Sequence, residues 1–197
     1  RLKTIQKKIK TDYQLAKDLY VTGNADAMYL AGLIADDEKM TPADLKSWVK
    51  RALSQNISEY TVPWVAAGSK HGYPLALEWI ESKDEHVAAA GWSTLGMLAA
   101  LKNDSELDPV HLKSLLDRIV KNISASDNRV RYTMNGFVIA CGTYVKSLCA
   151  DALATAKKTG NVSVEMNGTA CKLPDAVVYL LKAKEKGLGK KKKMVKC

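Results

Sequence analysis

The sequence predicts an all-α fold in which short helices pair antiparallel and stack in series. Three observations support it. Apolar residues recur at three- and four-residue spacing from Leu2 to Lys186. Helix-capping residues punctuate that pattern at regular intervals. The gaps between helices are two to eight residues, the length that antiparallel neighbours need.

The elements follow in order. A basic helical pattern opens the chain. Thr11-Asp12 starts a helix that Gly23 closes, and Asn24 caps the next, whose apolar residues run to Asp36-Asp37. Thr41-Pro42-Ala43-Asp44 places a cap, a first-turn proline and an acid where a helix start favours them, and that helix runs through Leu45, Trp48, Val49 and Leu53. Ser58 opens a helix ending near Gly68, and Pro74 begins a short one through Ile80. After Lys83-Asp84 the stretch Val87 to Leu101 is apolar nearly all round, with alanines where a polar face should be. Such a helix is normally covered on several sides, so it should be central. Asp108-Pro109 starts the next helix, Asp127 caps Val130 to Val145, another covers Lys146 to Lys158, and Pro174-Asp175 starts Val177 to Lys186. Helix pairs recur at roughly 35–45 residues, the size of HEAT-type units. One segment, residues 162–167, alternates and then turns, which predicts a short strand or extended loop. The expected organisation is a helical domain over residues 1–187 and a basic tail over 188–197.

Charge is concentrated at the ends. The 197-residue chain carries a formal net charge of +9. Residues 1–10 hold five cations and no acid, and residues 182–197 hold eight lysines and one glutamate. The stretch between holds 17 cations and 20 acids, so on average it would repel phosphate. Four cysteines without a Cys-x-x-Cys pair are expected to be reduced thiols in a cytoplasm. No apolar run approaches the roughly 20 residues that cross a bilayer. The chain opens with Arg rather than Met, from which an upstream segment is expected.

No common catalytic or metal motif stands at usable spacing. His71, His86 and His111 lie in different segments without Cys or carboxylate neighbours at ligand spacing. Neither a metal nor another cofactor is implied. Cys171 lies beside Lys172, but a turn leading into Pro174 explains the local glycine.

Three signals remain. Arg129 and Arg131 occupy the first turn and a half of a helix, where cations are disfavoured by about 0.3–1 kcal/mol each unless an anion compensates. Asn135 shares a face with Arg131. A nucleic-acid phosphate or a neighbouring acid such as Asp127 could supply that anion, and both readings are open. Tyr60 and Trp64 are four apart on one face, and Trp92 sits off the main apolar stripe of its helix beside Ala88, Gly96 and Ala99; they form either core or an aromatic wall. Lys190, Lys191, Lys192 and Lys193 would form a solvated tail able to add salt-sensitive affinity for nucleic acid.

Several stretches together resemble the DNA alkylation-repair family of HEAT-like proteins, the AlkD-like alkylpurine DNA glycosylases, and within it a bacterial branch. They are Tyr29-Leu-Ala-Gly-Leu-Ile-Ala-Asp36, Ser58-Glu-Tyr-Thr-Val-Pro-Trp64 and Ala88-Ala-Ala-Gly-Trp92-Ser-Thr-Leu95. Asn128-Arg-Val-Arg-Tyr-Thr-Met-Asn-Gly-Phe137 and the ending from Gly168-Thr-Ala-Cys-Lys-Leu-Pro-Asp175 to the lysine run are the most specific. The resemblance covers nearly the whole chain. It implies a right-handed armadillo-like superhelix of antiparallel helix pairs that holds duplex DNA on a concave face lined by Tyr60, Trp64 and Trp92. Arg129, Arg131, Asn135 and Lys190 to Lys193 would contact the phosphate backbone. Active members of the family excise cationic N3- and N7-alkylated purines with a Trp-Asp-x-x-Asp-like element and an arginine. Here the matching element has no aspartate, Glu59 is its only nearby acid, and alanines 88–90 stand where the arginine would fall. The resemblance thus implies a DNA-binding protein, either an alkylpurine glycosylase or a non-catalytic helical scaffold for DNA structures or a protein partner. A cytoplasmic place, nucleoid-associated at most, goes with it.

Overall fold

The computed structural model describes residues 2–166, 168 and 172–196. Asn167, at the end of the expected extended segment, and the thiols of Cys171 and Cys197 lie outside the described residues. The chain is helical throughout its ordered elements. They are α1 (Leu2–Ile9), α2 (Tyr13–Val21), α3 (Ala25–Ile34), α4 (Pro42–Arg51), α5 (Val62–Gly68), α6 (Gly72–Trp79), α7 (Glu85–Leu101), α8 (Pro109–Asn122), α9 (Asn128–Tyr144), α10 (Cys149–Thr159) and α11 (Ala176–Lys186). Among the described residues there is no strand, and 161–166 form an irregular loop. No single helix is long and apolar enough to cross a membrane.

The caps read from the sequence do the expected work. Asp12 accepts from the Leu15 N–H, Asn24 from Asp26 and Ala27, Asp108 from His111, and Asp175 from Val178. Thr41 and Asp44 form a reciprocal capping box ahead of α4. Such a cap typically contributes about 1 kcal/mol. Asp127 holds the N-cap position of α9, yet no side-chain capping hydrogen bond forms there.

The start of the fifth helix differs from expectation, for a reason visible in the chain. Ser58 does not cap it. Helical backbone already covers Gln55 and Asn56, and Ile57–Thr61 widen into a π-turn before α5. Pro63 has no N–H to give and its ring crowds the carbonyl four residues earlier, that of Glu59. The π-turn absorbs the misfit. The Ser93 hydroxyl, from α7, donates to the freed Glu59 carbonyl at 2.6 Å.

The chain forms two compact units. The first comprises residues 1–94 and 195–197, the second residues 95–194. In the first, α2 packs on α3, α1 on α3, and α5 on α4 and α6. Its core includes Tyr20 stacked on Trp48, ring centroids 3.9 Å apart, with the Tyr20 hydroxyl donating to the Trp48 carbonyl at 2.7 Å. In the second, α9 packs on α10 and α11, and α8 on α10, where Lys113 pairs with Asp151. Gly142 marks the closest approach: a Cβ there would meet the Leu180 side chain and come within 2.8 Å of the Ala152 Cβ.

Two carboxyl groups of the first unit give opposite pH dependences. Burial opposes ionisation of Asp44, but hydrogen bonds from Lys17, Thr41 and Tyr13 outweigh it and hold the carboxyl well below its usual range. Its stabilisation is present above the ordinary Asp value and is lost as pH falls. Burial pushes Asp37 up to about 6, with Lys196 pulling the other way through a 2.6 Å hydrogen bond. Between the ordinary value of 3.8 and about 6 the native state keeps a proton that the unfolded chain has released. Stability therefore falls as pH rises through that window and levels off above it. For a shift of this size the fall is on the order of 2–3 kcal/mol. Asp37→Asn should flatten it, which urea unfolding of both proteins from pH 4 to 8 measures; parallel curves would refute the assignment.

Candidate nucleic-acid interface

At the start of α9 the polar side chains engage the loop that follows α10. The Arg131 Nε donates to the Ser163 carbonyl at 2.9 Å, its Nη1 to the Ser126 carbonyl at 2.8 Å and its Nη2 to the Asn128 Oδ1 at 3.4 Å. Asn128 exchanges hydrogen bonds with the backbone of Glu165 at 2.9 and 2.7 Å. Arg129 is buried, with its guanidinium carbon 4.2 Å from the Tyr132 ring centroid and its Nη1 3.7 Å from the Met166 sulfur. The Asn135 amide donates to the Pro174 carbonyl at 2.9 Å. These residues thus share one task in the structure: they tie residues 163–166 and 174 onto α9. The oxygens facing Arg131 are neutral, so its positive charge persists at the helix start.

The aromatic signals separate into core and surface. Trp92 is 0% exposed and Trp64 is 3% exposed, packed edge-on to Tyr29 with ring centroids 5.4 Å apart. Neither lines a surface, contrary to the sequence expectation. The neighbours explain why: α7 is apolar all round and α5 is buried from Val62 to Ala67, so an indole on either is enclosed. Tyr60, on the π-turn, is 38% exposed and does reach solvent. Glu59 beside it is 1% exposed, so its carboxylate is enclosed in the first unit. Among the described residues no three His, Cys, Asp or Glu side chains converge as metal ligands. Burial pushes the Cys141 thiol up, which keeps it protonated and unreactive.

The lysine run is held in place rather than trailing. Gly187 and Gly189 take positive φ angles of 97° and 80°, a turn that residues with a Cβ disfavour. The chain then returns across the end of α9 and α7. Gly189 N–H donates to the Thr143 carbonyl at 2.9 Å and Lys192 N–H to the Ala100 carbonyl at 2.8 Å. The Lys191 Nζ donates to the Ala99 carbonyl at 3.0 Å and pairs with Asp104 at 2.8 Å. Lys191 therefore caps the last turn of α7, where a cation suits the helix dipole. In the first unit Lys196 does the same beyond α3, donating to the Ala35 carbonyl at 3.0 Å as well as to Asp37.

This anchoring sorts the lysines by direction. Lys191 and Lys196 turn inward, while Lys190, Lys192 and Lys193 are exposed. Lys192 lies 5.6 Å from the Tyr144 ring centroid. Lys146 joins them: a Cβ on Gly189 would lie 3.4 Å from the Lys146 Cβ, and the Lys146 side chain is exposed. None of Lys146, Lys190, Lys192 and Lys193 makes an ion pair among the described residues. Sequence reading passed over Lys146 because it stands 44 positions from Lys190. The two glycines before the lysines were the available signal that the chain doubles back.

Residues 1–180 match the family described as DNA alkylation repair enzyme. The chain belongs to the DNA alkylation-repair family. Two relatives, uncharacterized proteins of Listeria innocua and Listeria monocytogenes, are each 32% identical over 183 residues, 92% of this chain and 78% of theirs. A solved structure, described as a new family of proteins related to the HEAT-like repeat DNA glycosylases with affinity for branched DNA structures, is 34% identical. It superimposes with a TM-score of 0.91 over 100% of this chain and 84% of its own. This member of the DNA alkylation-repair family therefore has the all-α, HEAT-like repeat fold that the helix spacing predicted.

Proposed function

We propose that this protein binds DNA through its sugar-phosphate backbone, prefers branched over plain duplex DNA, and does not excise alkylated bases. The observation that carries the reading is the exposed comb of Lys190, Lys192 and Lys193, anchored by Lys191 and accompanied by Lys146. A disordered lysine tail loses conformational freedom on binding; a comb already fixed to α7 and α9 loses less. Phosphate contacts alone carry no base sequence, which suits a protein that recognises DNA shape. Preference for branches is taken from the affinity reported for the structural relative. Of Tyr60, Trp64 and Trp92 only Tyr60 is exposed, which supports it as the aromatic that would meet a base or sugar, and Arg131 adds charge at the start of α9.

The case against excision rests on the π-turn. An oxocarbenium forming at a damaged nucleotide is stabilised by a carboxylate held close to it, and the family's active members supply one. Glu59 is the only acid of the matching element and is 1% exposed, and no aspartate replaces it. Incubation with duplex containing N7-methylguanine should yield neither free base nor abasic sites, while gel-shift titration shows tighter binding to a four-way junction than to a duplex of equal length. Release of the base would overturn the non-catalytic reading. Equal affinity for both DNAs would overturn the branch preference, and binding insensitive to salt would overturn the phosphate reading.

A further inference from the structure

We propose that one flank of α1, formed by Lys3, Lys7 and Lys10, is a second phosphate-binding surface, located in the first compact unit and distant in sequence from the lysine comb. The inference rests on the DNA-binding reading above and assigns a contact to the basic first ten residues, for which neither the sequence nor the family match named one.

α1 uses its apolar residues inwardly. Leu2 and Ile9 pack against the core that α3 contributes to, with Gln6 half-buried between them on the same face. At about 100° per residue, Lys3 and Lys7 fall on one flank of that face, roughly 6 Å apart along the axis. Lys10 extends the flank from the left-handed turn that closes the helix, at φ 64°, with its N–H donating to the Gln6 carbonyl at 2.7 Å. Lys3, Lys7 and Lys10 are exposed, and so is Lys8 on the far side. None of the four makes an ion pair among the described residues, and residues 1–11 contain no acid. Four other lysines of the same unit are paired: Lys17 with Asp44, Lys39 with Asp36, Lys46 with Glu78 and Lys196 with Asp37. Lys50, Lys70 and Lys83, which make no ion pair among the described residues, are scattered singly over other segments.

The chemistry favours a phosphate backbone over a lipid surface. An interfacial helix needs its apolar face for the acyl region, and in α1 that face is spent on the core. The one exposed apolar side chain, Ile5 at 41%, projects on the flank away from the lysines. What remains is a short row of flexible cations at the spacing of successive contacts along a nucleic-acid strand. A branched DNA has more than one arm to offer such rows.

The test compares Lys3→Gln/Lys7→Gln/Lys10→Gln with Lys50→Gln/Lys70→Gln/Lys83→Gln, which removes the same charge from scattered positions. Circular dichroism and thermal unfolding confirm that both fold. Binding to a four-way junction is followed from 50 to 200 mM salt. The α1 variant should make the slope of log Kobs against log salt shallower by about 2 to 3, and the control by less than about 1. Equal slopes for wild type and α1 variant, or an equal loss in the control, overturn the inference. Loss of binding to phosphatidylserine vesicles with junction binding intact overturns it in favour of a membrane contact. Wild type lacking salt-sensitive DNA binding removes the parent reading; wild type binding with the α1 variant unchanged removes this one alone.

Discussion

Trp92→Ala is expected to lower the unfolding free energy by about 3–5 kcal/mol, the cost of emptying a tryptophan-sized site in a closed core. The indole is fully enclosed, and its neighbours along α7, Ala88, Ala89, Leu95 and Ala99, are buried as well. A helix of such small residues has little means of collapsing around the cavity, which places the effect toward the upper end. Trp92→Phe, which keeps an apolar ring, should recover much of the loss. Urea unfolding followed by circular dichroism measures both, and DNA binding by the folded fraction of Trp92→Phe should match wild type. If Trp92→Ala unfolds at the wild-type midpoint yet binds DNA poorly, the indole is a surface contact and its enclosure is wrong.

The second large effect concerns the comb. Replacing Lys190, Lys192 and Lys193 with Gln together should remove up to three phosphate contacts. At about 0.9 per contact, the salt slope becomes shallower by about 2.7. A slope component of that size corresponds to a roughly 40-fold affinity loss between 50 and 200 mM salt in the wild type, which the variant would not show. Stability should hardly move, since none of the three side chains is paired with an acid among the described residues. Lys191→Ala should behave in the reverse manner. It removes a helix-capping contact and an ion pair that is largely exposed on the Asp104 side, costing about 1 kcal/mol or less. Its salt slope should stay near the wild-type value. Fluorescence anisotropy with a labelled junction and thermal unfolding on the wild type and these two variants separate these outcomes. A Lys191→Ala variant with the shallower slope, or a triple variant with the wild-type one, would reverse the assignment of inward and outward lysines.

The helix order was legible because its signals are local. Asp12, Asn24, Thr41, Asp108 and Asp175 satisfy backbone N–H groups two or three residues away, and that chemistry needs no distant partner. The π-turn was not read from the chain: the pattern suggested an ordinary helix start at Ser58, and the effect of Pro63 on the Glu59 carbonyl emerged with the structure. The site was less legible. Arg129 and Arg131 carried a real signal, cations at the wrong end of a helix, but part of what answers it, the Ser163 carbonyl for Arg131 and the Met166 sulfur for Arg129, lies more than thirty positions away. Trp64 and Trp92 presented the same difficulty, since periodicity marks a face and does not say whether another helix covers it.

The sequence by itself determined the class of fold, the order of the helices, the family, and the concentration of positive charge at both ends. Each of these depends on residues close together in the chain or on the composition of a segment. Only the tertiary structure decided which cations remain available. Lys191 and Lys196 are consumed at the ends of α7 and α3, while Lys190, Lys192, Lys193 and Lys146 face solvent as a group. That outcome follows from carbonyl groups left unpaired at helix ends, whose partners are chosen by proximity in space.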